Sequence, residues 1–150
     1  MNAKTQNYIR KLQKPPLVID AAHSERLEDL AYRAMQQAPA VARQLLEEVQ
    51  RAEVRPAGEL PHNVVTIGSR VTFRDDAGVA QTVRLVFPQN ADITEGRVSI
   101  LTPIGVALIG LAEGQTITWE TPEGKVRHLT AVDVVQVPGD ADADSANVPS

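Results

Sequence analysis

Cysteine is missing altogether from the 150 residues. Disulfides and cysteine metal sites are therefore excluded, and a reducing compartment is compatible with the chain. Aromatic residues make up only 3%. The core must rest on Val, Ile, Leu and Ala, and broad stacking platforms for bases are improbable. Positive charge is not in surplus: 15 Lys and Arg against 19 Asp and Glu give a net charge of −4. That balance argues against a general nucleic-acid binder. No apolar run reaches the ~18 residues that span a bilayer. The N-terminal MNAKTQNYIRKLQK is basic but carries no apolar stretch, so it does not read as a secretory signal. The expectation is a cytoplasmic protein with neither a membrane partner nor a sequence-specific nucleic-acid partner. Hydrophobic residues, at 43%, are plentiful enough for a real core. A compact chain of this length buries roughly 68–70% of its unfolded surface.

Four stretches differ in character. Residues 1–16 carry Lys4, Arg10, Lys11 and Lys14, no acid, and end in Pro15-Pro16. They read as a flexible basic arm. Residues 17–56 open on a short strand at Leu17-Val18-Ile19, and helical spacing follows. Leu27, Leu30, Ala31, Ala34 and Met35 share one helix face, with Asp20 or Ser24 as the cap. The spacing stops at Gln36-Gln37-Ala38 and resumes with Val41, Leu45, Leu46, Val49 and Ala52. Pro39 suits the first turn of a second helix, and Glu47 and Arg51 are spaced to support it. Two arms joined by so short a turn must run antiparallel. The pattern predicts a helical hairpin over residues 24–55, projecting from the body rather than packed as two ordinary core helices.

A Pro/Gly connector, residues 55–61, leads into strand-like spacing. Strands are expected at 64–67, 71–73, 82–87, 97–101, 115–121 and 125–137, with a hairpin turn at Asp75-Asp76-Ala77-Gly78. Short antiparallel strands with one internal helix make residues 60–137 the α+β part of the chain. The tail, residues 138–150, is small and acidic and reads as disordered.

The stretch LTPIGVALIGLAEGQTI, residues 101–117, invites three readings. The spacing of Gly105 and Gly110 imitates a phosphate loop, but Leu111-Ala112 stands where the Lys-Ser/Thr pair is required. A membrane segment fails on length. A short helix fits: Thr102 caps it, Pro103 takes its first turn, and Ile104, Ala107, Leu108 and Leu111 share a face. Glu113-Gly114 then closes it, and the glycines allow close packing on a sheet. Other chemistry is missing as well. Asp140, Asp142 and Asp144 begin like a calcium loop, but Ser145 replaces the required glycine and the chain ends before the closing Glu. His23, His62 and His128 fall in no metal-ligand spacing. No Gly-x-Ser-x-Gly elbow occurs. The residues read as a two-part binding protein without catalysis, cofactor or metal.

Two segments carry a family resemblance. LPHNVVTIGSRVTFRDD, residues 60–76, with VSILTPIGVALIGLAEGQTITWETPEG, residues 98–124, resembles the C-terminal domain of the Gre transcript-cleavage factors. Residues 17–137 are similar to the branch of that family formed by the bacterial regulators of nucleoside diphosphate kinase. The resemblance implies an FKBP-like fold for residues 60–137. It implies binding to bacterial RNA polymerase at the rim of the secondary channel, with the hairpin entering that channel. The branch's name implies an effect on nucleoside diphosphate kinase levels. Carried over, the polymerase-docking positions are Leu101, Thr102, Pro103, Ile104 and Leu108. Some Gre factors have an acid where this chain has Leu101, and Ile104 could be exposed or simply buried.

In the Gre factors two carboxylates at the hairpin tip help to hold a magnesium ion, whose bound water becomes the nucleophile. Here the tip runs from Arg33 through Gln36, Gln37 and Pro39 to Arg43 and holds no acid. The arms are also far shorter. The resemblance therefore implies docking without transcript cleavage. Arg33 and Arg43 either meet acidic channel walls or are solvated. A Gre-like cleavage factor and an oligomerising module remain the alternatives. The chain is expected to be a monomer, with a weak dimer through the hairpin's apolar face as the variant. The FKBP-like fold also raises prolyl isomerisation, but Phe73, Phe87 and Trp119 are too few for an aromatic-lined pocket, and a fold alone carries no function.

Overall fold

A computed structural model of the chain describes residues 10–11, 17–120 and 123–136. Strand β1 is the two-residue Arg10–Lys11, and β2 is Val18–Asp20. Helix α1 covers Ala21–Arg33 and α2 covers Pro39–Arg51, followed by β3, Glu53–Arg55. Then come β4 (Arg70–Arg74), β5 (Ala80–Val86) and β6 (Arg97–Ser99). The short helix α3, Pro103–Leu108, precedes β7 (Thr116–Glu120) and β8 (Val126–Val135). Six strands form one sheet in the order β1-β7-β8-β4-β5-β6, and β2 pairs with β3 separately. The α+β expectation holds: two helices lead, and a strand-rich sheet follows. The remaining calls on residues 1–16, and those on 138–150, lie outside the described residues.

Asp20, not Ser24, caps α1: its carboxylate accepts the Ala22 N–H at 2.7 Å. Pro39 opens α2 as expected. That helix ends at Arg51, four residues short of its predicted end. Pro56 biases Arg55 toward extended backbone, and the Glu53 N–H finds the Leu17 carbonyl at 2.9 Å. Residues 53–55 thus become a strand that runs parallel to β2, Val18 opposite Glu53 and Asp20 opposite Arg55. Parallel neighbours need a crossover, and the α1–α2 hairpin supplies it. Its open end is closed by backbone hydrogen bonds.

The hairpin is not a free projection along its whole length. Leu27, Ala31, Leu45 and Val49 are buried in the same continuous core as Val71, Phe73, Leu85, Ile100, Leu108, Ile117 and Leu129. A second fastening lies at the start of α1. The Arg26 guanidinium sits 4.0 Å from the Phe87 ring centroid. The His23 ring meets the same phenyl edge-on, 6.0 Å between centroids, and its Nδ1 lies 3.4 Å from the Thr66 hydroxyl. The opposite face of the helices, including Glu25, Asp29 and Glu47, is exposed, as are Gln36 and Gln37 at the far end.

Three sheet expectations change. Residues 64–67 form no strand, only an isolated bridge from Val64 to Ala112. The Ser69 hydroxyl there accepts the Thr66 N–H at 2.9 Å, folding the segment into a turn. β6 pairs with β5 in parallel, not antiparallel, with Arg84 opposite Arg97. Two single 3-10 turns, Pro88–Asn90 and Ile93–Glu95, carry the chain between them. The basic arm contributes β1, whose Arg10 stands opposite Glu120 on the sheet edge. The hairpin turn forms as expected: the Asp75 carboxylate accepts N–H bonds from Ala77 and Val79, both at 3.0 Å.

Candidate functional site

The segment that carries the docking resemblance is built from the end of β6. The Ser99 hydroxyl accepts the Leu101 N–H at 2.9 Å. The Thr102 hydroxyl donates to the Ser99 carbonyl at 2.7 Å and accepts the Gly105 N–H at 3.1 Å. One side chain therefore caps α3 and ties it to the strand before it. Pro103 follows in the first turn, where its missing N–H costs nothing. Gly105 lets α3 settle directly onto the β6 end: a Cβ there would lie 2.8 Å from the Ile100 Cα and closer still to the Ser99 carbonyl.

This construction sorts by depth the five positions that carry the docking resemblance. Pro103 is exposed, Thr102 is half-buried, and Leu101 and Ile104 are half-buried with one side on the core. Leu108 has no exposed surface. It belongs to the core, and of the five positions only residues 101–104 reach the surface. The helix also ends earlier than its apolar spacing suggests. Gly110 turns left-handed at φ 79°, and a side chain there would run into Leu17. Leu111 is buried, but beyond the helix.

The hairpin tip is the second element. Gln36, Gln37, Pro39 and Arg43 are exposed. The Arg33 side chain is 72% exposed and meets Asp29 at 3.2 Å one helical turn back. The carboxylate nearest the tip on α1 is thus already paired with an arginine. Glu48 on α2 is buried, and its carboxylate accepts from Gln44 at 3.1 Å and from Arg51 at 3.0 Å. The carboxylate nearest the tip on α2 is the exposed Glu47, one helical turn beyond Arg43. Among the described residues, no three His, Asp or Glu side chains are grouped closely enough to hold a metal ion.

Sequence reasoning passed over Tyr32, which is 55% exposed beside Arg33. Its signal was present: an aromatic residue in an aromatic-poor chain, off the apolar stripe of α1.

Comparison with known proteins gives this geometry a family. Residues 60–136 match the model of the transcription elongation factor GreA/GreB C-terminal domain, and residues 15–54 match the Rnk N-terminus. The chain belongs to the Gre family. Within that family it is 32% identical over 128 residues to the regulator of nucleoside diphosphate kinase of Escherichia coli. That match covers 85% of this chain and 94% of the relative. It is 33% identical over 125 residues to the transcription elongation factor GreA of Brucella anthropi, covering 77% and 80% of the two chains. A solved GreA/GreB-type elongation factor from Nitrosomonas europaea superposes with a TM-score of 0.65 at 38% identity, covering 79% of this chain and 98% of that one. As a Gre-family transcription regulator, the chain combines an Rnk-type hairpin with the Gre C-terminal sheet. Among the described residues, no helix is long and apolar enough to cross a membrane.

Proposed function

We propose that this Gre-family protein is a cytoplasmic, non-catalytic regulator that binds bacterial RNA polymerase near its secondary channel. The observation that carries the reading is the hairpin tip. Each arm has 13 residues, which at 1.5 Å per residue spans about 20 Å. Residues 33–43 hold no carboxylate. Transcript cleavage of the Gre kind needs oxygen anions at the tip to help hold Mg²⁺. A tip that offers guanidinium and amide groups has no anionic ligand for that ion. The protein therefore docks and occupies, without cleaving.

Docking is assigned to residues 101–104. Leu101, Pro103 and Ile104 form a small apolar edge, and Thr102 fixes its shape through two hydrogen bonds. The hairpin stands in a defined position relative to this edge because both pack into one core. Competition with longer Gre factors for the same site follows from shared docking. The regulator branch carries nucleoside diphosphate kinase in its name, and an effect on the amount of that enzyme would follow from polymerase binding.

The test uses purified bacterial polymerase. The wild type should co-purify with it, whereas folded Ile104→Asp protein should not. In backtracked elongation complexes with Mg²⁺, no cleavage should appear above the intrinsic rate. Robust cleavage would restore the cleavage-factor reading, and concentration-dependent sedimentation abolished by Leu45→Lys would favour a self-associating module instead.

A further inference from the structure

Helix α2 does not sit on the core as its own apolar pattern directs. That pattern is Val41, Ala42, Leu45, Leu46 and Val49. The residues buried on α2 are instead Ala42, Gln44, Leu45, Glu48 and Val49. Gln44 and Glu48 are each only 1% exposed, whereas Val41 and Leu46 are half-buried. At 3.6 residues per turn, the middle of the apolar stripe and the middle of the buried set differ by about 40° around the axis. The helix is turned toward its polar side.

This seating is unfavourable unless the buried polar groups are bonded. A short chain of bonds holds them. Gln44 Nε2 donates to one Glu48 carboxylate oxygen at 3.1 Å, and the Arg51 guanidinium donates to the other at 3.0 Å. Arg51, with its side chain 31% exposed, carries the chain out to the surface. It turns to Glu48 rather than to Glu47, the partner its spacing suggests. The inner end is incomplete: the buried Gln44 carbonyl oxygen has no hydrogen-bond partner among the described residues. Turning that amide over would set its oxygen against the carboxylate instead. Apolar shape does little to fix the rotation. The two arms contain no Phe or Trp, and their one Tyr, Tyr32, is exposed. The apolar residues buried on α2 are an Ala, a Leu and a Val, and aliphatic cores of matching volume repack readily.

We infer that α2 has two seatings on the core, and that the Gln44–Glu48–Arg51 chain holds it in the observed one. The second seating is turned by about 40°. It buries Leu46 and returns Gln44 and Glu48 to water, and it redirects Arg43 at the tip. The chain of three side chains is thus a positioning device for the hairpin. The inference does not rest on polymerase docking.

Because the chain lacks cysteine, spin labels can be placed in the full-length protein without background. One label goes on α2 as Gln50→Cys. The reference label is Asp133→Cys on β8 or, viewing from another direction, Ile93→Cys; all three positions are exposed. A turn of about 40° on a helix of ~5–6 Å radius moves the label by about 4 Å. Distances are read by double electron–electron resonance at pH 8, where free carboxylates are ionised.

With no further change, each pair should give one distance. Gln44→Glu sets a second carboxylate against Glu48 and should shift or split at least one distance by about 2 Å or more. Gln44→Met with Glu48→Met makes the observed seating apolar. It should keep the original distances and unfold at an equal or higher urea concentration. If Gln44→Glu fails to fold, the surface variant Arg51→Gln, which removes the outer bond, should show the same shift. Original distances in every folded variant of Gln44 and Arg51 would overturn the inference. So would a lower urea midpoint in the double methionine variant, because the chain would then be a plain source of stability.

Discussion

Gly105→Ala is the sharpest perturbation of the proposed docking edge, because two opposite effects meet in one methyl group. In a solvated helix interior, alanine in place of glycine stabilises by about 1 kcal/mol. Here the added Cβ would lie 2.8 Å from the Ile100 Cα and still nearer the Ser99 carbonyl. Both obstacles are backbone, so no rotamer change relieves the overlap. Helix α3 must lift from the end of β6. Overpacking of this kind costs about 1–3 kcal/mol. Lifting also stretches the 2.7 Å bond from Thr102 to the Ser99 carbonyl, whose loss adds about 1 kcal/mol. The net expectation is a destabilisation of roughly 1–3 kcal/mol after the propensity gain. For a domain of this size that lowers Tm by roughly 2–12 °C. Urea unfolding followed by circular dichroism reads the effect directly. A parallel Gly114→Ala variant meets open space and suffers only the strain of its left-handed φ of 92°. A Gly105→Ala protein as stable as the wild type, or more so, would refute the close approach of α3 to β6.

Three further outcomes are expected. Leu45→Ala empties a fully buried position where the hairpin joins the core, and should cost about 2–5 kcal/mol in chemical denaturation. Placing carboxylates at the tip, as Gln36→Asp with Gln37→Glu, should not confer transcript cleavage, because arms of about 20 Å keep their short reach; cleavage by that variant would show that reach is not limiting. The Asp92 carboxyl is held below its ordinary value near 3.8, chiefly by the hydrogen bond from the Thr94 hydroxyl, with the Thr94 N–H and the Arg97 charge contributing. Its stabilising contribution is complete above the unfolded value and lost as pH falls through the lower folded one. The stability difference between wild type and Asp92→Asn should therefore shrink in acid titrations below that value.

Helical spacing exposed both arms of the hairpin, and Pro39 marked the start of the second correctly. The arms were legible because their apolar faces bury the residues that the spacing selects: Leu27, Ala31, Leu45 and Val49. β3 escaped because Val49 and Ala52 continue the helical spacing almost into it, and three residues are too few to show alternation. Its partner β2 lies a whole hairpin away in sequence, so the parallel pairing had no local signature. The same holds for β5 with β6. At the proposed docking edge, spacing placed Ile104 and Leu108 on one face of α3 but could not tell their depths. Burial separates them: Leu108 is in the core, and Ile104 is at its margin. Gly110 ended the helix for a reason invisible in the pattern, its approach to Leu17. The depth of Gln44 and Glu48 on α2 was equally hidden, since helical spacing assigns both to the polar side.

The account stands most directly on one affinity measurement: titration of bacterial RNA polymerase core enzyme with the wild type and with folded Ile104→Asp, at low salt, against a labelled Gre factor. Ile104 occupies the second position of α3, where an acidic side chain suits the helix N-terminus, so the variant should keep its helix while losing the apolar edge. The wild type should displace the labelled factor, and Ile104→Asp should displace it at least tenfold less effectively. A wild type that fails to displace it, or a variant that displaces it equally well, would contradict the assignment of residues 101–104 as the docking edge.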